Sequence, residues 1–279
     1  MPYPPDADVT NQSGVSTYID TTVPSTARLY DAALGGKDNY EVDREMLAKL
    51  NATVPAVGRG AVVNRDFLVR ACRFLARQTG IDQYLDCGSG LPTAENVHQI
   101  VQRHNQHARV VYTDNDPIVI AHGRALLEDN DLTRFASVDI FDPDEVLTDA
   151  TVTEHLDWSR PMVLLHVASM HFCDDENDPA AVMRSYIDAL PAGSYVVFSH
   201  SCDPQDEYHD TARQIERNYA TSGGTLHFRT HDELRTMLAG LEILEPGLVK
   251  VTDWWPAGPR QSAPHPIEHC IAACVGYKP

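Results

Sequence analysis

Apolar residues along the chain change their spacing in three blocks. Residues 1–20 have no period and are rich in Pro, Asp, Ser and Thr, which predicts a mobile segment over 1–23. From Pro24 a helical rhythm starts. STARLYDAALGG opens on the capping residue Ser25 and closes on Gly35 and Gly36, and EVDREMLAKLN reads as a second helix. Over Asn64–Gln78 the apolar residues Phe67, Leu68, Ala71, Phe74 and Leu75 recur at i, i+3, i+4, which predicts an amphipathic helix that Gly80 ends.

After Gly80 short apolar runs alternate with helical segments. Strands are predicted at Gln83–Asp86, Arg109–Thr113, Phe135–Ile140, Met162–Ala168 and Tyr195–Ser199. Helices are predicted at 94–105, 117–128, 144–149 and 178–190, the last introduced by Asp178 and Pro179. Such alternation makes βαβ units and a mostly parallel sheet covered by helices, an α/β fold. The run Met162–Ala168 is apolar throughout and fits a central strand buried on both faces. The tail departs from this rhythm. Asp206–Ser222 reads as a polar helix, and Thr230-x-x-Glu233 is a capping box that opens a helix to Leu238. Two strands around 241–251 and 269–277, joined by a Pro-rich stretch, predict an antiparallel pair at the sheet edge. The chain thus divides into a mobile segment (1–23), a helical cap (24–62) and an α/β domain (63–279) with a helical insertion near 204–240.

Charge narrows the function classes. The 279 residues include 22 Lys and Arg against 40 Asp and Glu, a formal net charge of −18. Phosphate contacts need Lys and Arg, so nucleic acid is not an expected partner, nor is an anionic membrane surface. No apolar run approaches the roughly 18 residues of a membrane span. The N-terminus MPYPPDADVT lacks the basic and apolar regions of a signal peptide. Cytoplasmic localisation is the expectation. Six cysteines, at 72, 87, 173, 202, 270 and 274, form no C-x-x-C pair and read as buried thiols. The trio Cys202, His200 and His209 matches no standard zinc spacing, so no metal is expected.

The chemistry is carried by Leu85-Asp86-Cys87-Gly88-Ser89-Gly90, placed between the first strand and its helix. Glycines there let a ligand approach the backbone, at the first crossover of a doubly wound sheet. A second strand ends in Asp114, where a carboxylate accepts both ribose hydroxyls of an adenosine. Asp139, at the end of the third strand, suits an adenine amino group. Three acidic residues at strand ends therefore converge on an adenosine-containing ligand. Thr93 stands where a dinucleotide fingerprint has its third glycine, and the loop is flanked by Asp86 and Glu95. That acidity favours a cationic or zwitterionic ligand over a pyrophosphate, and S-adenosylmethionine is such a ligand.

These motifs resemble the class I S-adenosylmethionine-dependent methyltransferases. More narrowly, STARLYDAALGGKDNYEVDRE, LDCGSGLPTAENVH, VVYTDNDPIVIAHGRALL and GSYVVFSH resemble a bacterial branch described as S-adenosyl methyltransferases of unknown substrate. The resemblance runs from about Pro24 to the C-terminus, with Cys87 at a position where an aliphatic residue is common. It implies a Rossmann-like, mostly parallel seven-stranded sheet with a terminal antiparallel pair, and an N-terminal cap over the cofactor site. It also implies that Asp86, Gly88, Ser89 and Gly90 line the methionine and ribose part of S-adenosylmethionine. Asp114 and Asn115 would hold the ribose, Asp139 and Ile140 would flank the adenine, and Ala168, Ser169 and Met170 would lie beneath the sulfonium.

The string Tyr30-Asp31…Gly35-Gly36-Lys37-Asp38-Asn39-Tyr40 reads as a turn that folds over the cofactor, with Tyr30, Lys37 and Asn39 near its methionine end. Arg65 is the candidate partner for the cofactor carboxylate, because a guanidinium binds it as a fork. His166, His171 and His200 lie on or just after the fourth and fifth strands, and His171 is the candidate general base. A small-molecule acceptor is expected under a roof formed by the N-terminal segment and the 206–222 helix, with aromatic surface from Phe172, Tyr208, Trp254 and Trp255. Two other functions stay open on sequence alone: a regulatory protein that binds S-adenosylmethionine without catalysis, and a nicotinamide-dependent oxidoreductase. The sequence carries no information on the oligomeric state.

Overall fold

The structure is a computed structural model that describes residues 19–93, 95–221, 224–259 and 262–279. The expectation of mobility over residues 1–18 therefore lies outside the described residues. Three helices come first: α1 (Thr26–Ala33), α2 (Glu41–Thr53) and α3 (Arg59–Gln78). The alternating part follows as β1 (Gln83–Cys87), α4 (Val97–Gln102), β2 (Arg109–Asp114), α5 (Pro117–Leu126), β3 (Thr133–Ser137), α6 (Pro143–Thr148), α7 (Ala150–His155), β4 (Val163–Val167), α8 (Pro179–Ala189) and β5 (Tyr195–Asp203). The tail contains α9 (His209–Ala220), β6 (Arg229–Thr230), α10 (His231–Met237), β7 (Glu242–Ile243), β8 (Val249–Lys250) and β9 (Ile271–Tyr277).

The sheet runs β3-β2-β1-β4-β5-β9-β7, with β6 beside β5 and β8 beside β9. Strands β3 to β5 along this path are mutually parallel, and β9 pairs antiparallel with β5 from Tyr195↔Tyr277 to Ser201↔Ile271. Seven strands form the path expected from the resemblance. The other two, β6 and β8, are two-residue additions. One core layer packs α3, α4 and α5 on the sheet through Phe67, Leu75, Ile100 and Val119, and the other packs α8 and α10 on it through Met183, Ile187 and Leu234.

Several boundaries differ from the sequence expectation for physical reasons. The third strand stops at Ser137, because its ladder partner β2 ends at Asp114 opposite that residue. Asp139 then turns the chain, its Oδ1 accepting from Phe141 N at 2.9 Å while its own N–H donates to Glu145 Oε2 at 2.9 Å. The 241–251 strand breaks into β7 and β8 around Pro246 and Gly247, since proline has no N–H to give the ladder. Caps read from the sequence are present. Ser25 Oγ accepts from Arg28 N, Asp178 caps α8 ahead of Pro179, and Thr230 and Glu233 close a reciprocal box on α10.

Arg28 ties the chain ahead of α1 to the cap. It is 2% exposed. Its Nε donates to Asp43 Oδ1 at 3.2 Å, its Nη1 to the Asp20 carbonyl at 2.9 Å and its Nη2 to the Val23 carbonyl. Ile19 packs against the core.

Candidate active site

The carboxyl ends of the parallel strands and the cap enclose a cleft of about 420 Å³. Its floor is the turn after β1. Gly88 and Ser89 both donate their N–H groups to the Thr113 carbonyl at 3.0 Å, which ties the turn to β2. Gly90 N donates to Asp114 Oδ2, and Asp116 N to Asp114 Oδ1, each at 3.0 Å. Both oxygens of Asp114 are thus aimed by backbone. Gly88 and Gly90 have φ of +77° and +64°. A Cβ on Gly90 would meet no atom within 4 Å, so this backbone faces open cleft.

Most of the residues predicted from sequence come together here. Tyr30, Arg65, Asp86, Gly88, Ser89, Gly90, Asp114, Asn115, Asp139, Ile140, Ala168 and Ser169 all line the cleft. Lys37 and Asn39 do not line it, and Lys37 is exposed. Asn39 serves Asp31 instead: its Nδ2 donates to Asp31 Oδ2 at 2.7 Å, and Asp38 N donates to the same oxygen at 3.0 Å. Gly36 lies so close over that carboxylate that a Cβ there would fall 1.9 Å from Asp31 Oδ1. The Gly-Gly-Lys-Asp-Asn turn therefore holds a buried carboxylate in the cleft wall. Asp31 escaped the sequence reading, although the paired glycines and Asn39 around it were the signal.

Charge in the cleft is strongly one-sided. Asp31, Asp86, Asp114, Asp116 and Asp139 line it, with Arg65 as the cationic side chain among the described residues. Burial raises the Asp86 carboxyl from the usual 3.8 to about 7, opposed by Arg65 and reinforced by Asp114. Burial likewise raises Asp114 to about 6, opposed by its backbone donors.

A second cavity of about 140 Å³ adjoins the cleft. The two share Thr26, Tyr30, Asn64, Ala168 and Phe172. A hydrogen-bonded chain crosses this boundary. Ala168 N donates to Ser199 Oγ at 3.0 Å, Ser199 Oγ to Asn64 Oδ1 at 2.5 Å, Asn64 Nδ2 to Tyr30 OH at 3.0 Å, and Tyr30 OH to the Ala61 carbonyl at 3.1 Å. Neither Asn64 nor Ser199 stood out in the sequence, since each lies inside an apolar element and acts only through partners distant in the chain.

His171 lines this second cavity and not the cleft. Burial, with neighbouring His200 and Arg229, holds it well below the usual histidine range, so the ring is neutral. Ser201 N donates to its Nδ1 at 3.4 Å, which places the proton on Nε2. Nε2 then meets a ligand as a donor, whereas a general base needs a free lone pair there. His200 is also neutral, lowered to about 3 by burial, with Nδ1 bonded to the Ser201 carbonyl at 2.7 Å and Nε2 facing Arg229 Nη1 at 3.1 Å. Of the four aromatic residues expected around an acceptor, Phe172 alone lines either cavity. Trp254 is buried edge-on against Phe67, with ring centroids 5.3 Å apart, Trp255 stacks on Trp254, and Tyr208 stacks on His269. Among the described residues no three His, Cys, Asp or Glu side chains gather as a metal-ligand group, and no helix is long and apolar enough to cross a membrane.

Residues 12–279 match the model of a family described as S-adenosyl methyltransferase. A crystal structure from Thermobifida fusca YX, of a protein with a provisional assignment as a methyltransferase, is 37% identical over 93% of this chain and 96% of that one, with a TM-score of 0.87. A DUF574 family protein from Streptomyces avermitilis MA-4680 is 35% identical over 94% of this chain and 100% of that one, with a TM-score of 0.88. The S-adenosylmethionine-dependent methyltransferase SibL shares the fold alone, at 15% identity and a TM-score of 0.50 over 92% of this chain and 64% of that one. A search of curated proteins found no match.

Proposed function

The chain belongs to the S-adenosyl methyltransferase family, and from that premise we propose that it methylates a small molecule seated in the cavity beside the cofactor cleft. The observation that carries this reading is the junction of the two spaces at Tyr30, Asn64 and Ala168. One compartment has the polar, acidic lining a sulfonium and its ribose need. The other has room for a second molecule, which a regulatory protein that only binds the cofactor would not require.

The residues present fit S-adenosylmethionine. Asp114 would accept the ribose hydroxyls, Asp139 and Ile140 would bracket the adenine, and Gly88, Ser89 and Gly90 would lie along the chain between them. Asp31 and Asp86 would face the cationic end, and Arg65 the carboxylate. Bound there, the cofactor supplies a methyl carbon on a positively charged sulfur, which an acceptor lone pair displaces while the sulfur keeps the bonding electrons. The protein contributes position and exclusion of water. Ala168 is well placed for this, at the end of β4 with φ of +59° and its N–H anchored on Ser199.

Calorimetric titration with S-adenosylmethionine, S-adenosylhomocysteine and NAD tests the cofactor half. Micromolar binding of the two adenosyl ligands and none of NAD is expected. The reverse pattern would hand the cleft to a nicotinamide cofactor.

The raised carboxyls give this binding a pH signature. A cationic ligand selects the ionised forms of Asp86 and Asp114, whose pKa values are about 7 and about 6. Affinity should therefore rise with pH and fall about twentyfold between pH 8 and pH 6, with protons released on binding near pH 6.5. Stability without ligand runs the other way. The folded chain holds these protons between about pH 4 and 7 when the unfolded chain has lost them, so stability falls as pH rises through that window. Titrations in buffers of different ionisation heat read the proton count, and zero release at pH 6.5 would contradict the assignment of Asp86.

A further inference from the structure

Resting on the reading that the second cavity holds the methyl acceptor, we infer that this acceptor is an uncharged, single-ring hydroxyarene. Three observations set its class. The first is size. The cavity measures about 140 Å³, and an apolar cavity of about 150 Å³ takes one benzene ring. One ring fills that volume.

The second is the absence of charge. The lining is built from aliphatic and aromatic side chains such as Leu29, Leu50, Ile215, Phe228 and Ile267, and among the described residues it includes no Asp, Glu, Lys or Arg. A bound ammonium or carboxylate would lose its water and gain no partner there, at a cost of several kcal/mol. The acidic cleft next door does not substitute, because its carboxylates face the cofactor's own cations.

The third is the polarity of what remains. His171 is neutral with its proton on Nε2, and that N–H has no hydrogen-bond partner among the described residues. At the junction, one N–H of Asn64 Nδ2 goes to Tyr30 OH and the other is left for a ligand. Tyr30 OH gives its hydrogen to Ala61 and keeps a lone pair. The cavity therefore offers these two donors and the Tyr30 lone pair, in a lining that also includes the hydroxyl residues Thr26, Ser199, Ser201 and Tyr219. A ring hydroxyl can accept from one of these donors and donate to Tyr30 while its second lone pair stays free for the methyl carbon. On transfer the C–S bond breaks with its electrons on sulfur, and the hydroxyl proton leaves to solvent through the adjoining cleft. A plain hydrocarbon would leave the donors unmade.

The probes are phenol and its charged analogues benzylamine and benzoate, observed by ligand NMR on protein saturated with S-adenosylhomocysteine, so that no turnover is needed. Phenol is expected to bind in the millimolar range or better, and the two charged rings at least tenfold more weakly. Ala33→Phe, which fills the cavity from the end of α1, should abolish phenol binding. His171→Phe, which keeps a ring but removes the N–H, should weaken it about five- to tenfold. Ala33 and His171 lie outside the cofactor cleft, so both variants should bind S-adenosylhomocysteine as the parent does, which reports that they fold. Bound S-adenosylhomocysteine with no phenol binding, with equal binding of the charged rings, or with phenol binding indifferent to Ala33→Phe, overturns the acceptor class alone. Failure of the parent protein to bind S-adenosylhomocysteine overturns the cofactor reading and the acceptor assignment with it.

Discussion

Asp114→Ala is expected to weaken S-adenosylmethionine binding by about 10²–10³-fold. A hydrogen bond to a charged acceptor is worth about 1.5–3 kcal/mol, and a ribose presents two hydroxyls to this one carboxylate. The substitution also frees two backbone donors, Gly90 N and Asp116 N, that now fix the carboxylate at 3.0 Å each. Asp114→Asn separates shape from charge. Both oxygens of Asp114 already accept a backbone N–H, so an amide must turn its NH₂ group against one of those donors. Asparagine should therefore rescue little of the loss. Calorimetry on the two variants, with circular dichroism to confirm folding, decides the matter. Parent-like affinity in Asp114→Asn would mean that the cofactor does not rest on this carboxylate.

What was legible in the sequence follows from how local each signal is. The turn after β1 and the acidic ends of the strands announce themselves within a few residues, because each is a short contiguous pattern: two glycines two positions apart after β1, and a carboxylate at the end of each successive strand. The capping residues Ser25, Asp178 and Thr230 are equally local. The acceptor cavity is different. Leu47, Ile215 and Ile267 each look like ordinary core along the chain, and only tertiary packing brings α2, α9 and the segment before β9 around one space. The aromatics misled for the same reason. Trp254 has a core partner in Phe67, and no short pattern links residues so far apart. His171 stands near the site as expected, but its tautomer depends on Ser201 N, a donor on the neighbouring strand. Asp31 was hidden by its own turn, in which Lys37 and Asn39 drew attention to the rim while the glycines packed against the carboxylate inside it.

The glycine turn provides the sharpest division between fold and function. Gly88 and Gly90 both sit in the left-handed region, where a side chain costs about 1–2 kcal/mol. Beyond that shared strain their surroundings differ. A Cβ on Gly88 would lie 2.8 Å from Ser169 Cβ and 3.0 Å from Ile140 Cδ1. The first is fixed to the backbone after β4, so the turn itself must move, which adds about 1–3 kcal/mol. Gly88→Ala should therefore lower Tm by about 4–20 °C at roughly 2–4 °C per kcal/mol. Gly90→Ala meets no protein atom and should lower Tm by only a few degrees. Its methyl group would instead occupy space that the cofactor needs, so affinity should fall at least tenfold. Thermal unfolding with and without S-adenosylhomocysteine tests both halves together. At a ligand concentration of about 100 Kd the parent gains about 2.7 kcal/mol, and Gly90→Ala should gain about half of that or less at the same concentration. Full ligand stabilisation in Gly90→Ala would place the cofactor away from this backbone, and a small Tm loss in Gly88→Ala would mean that the β1 turn and the β4 end are not packed as tightly as the distances require.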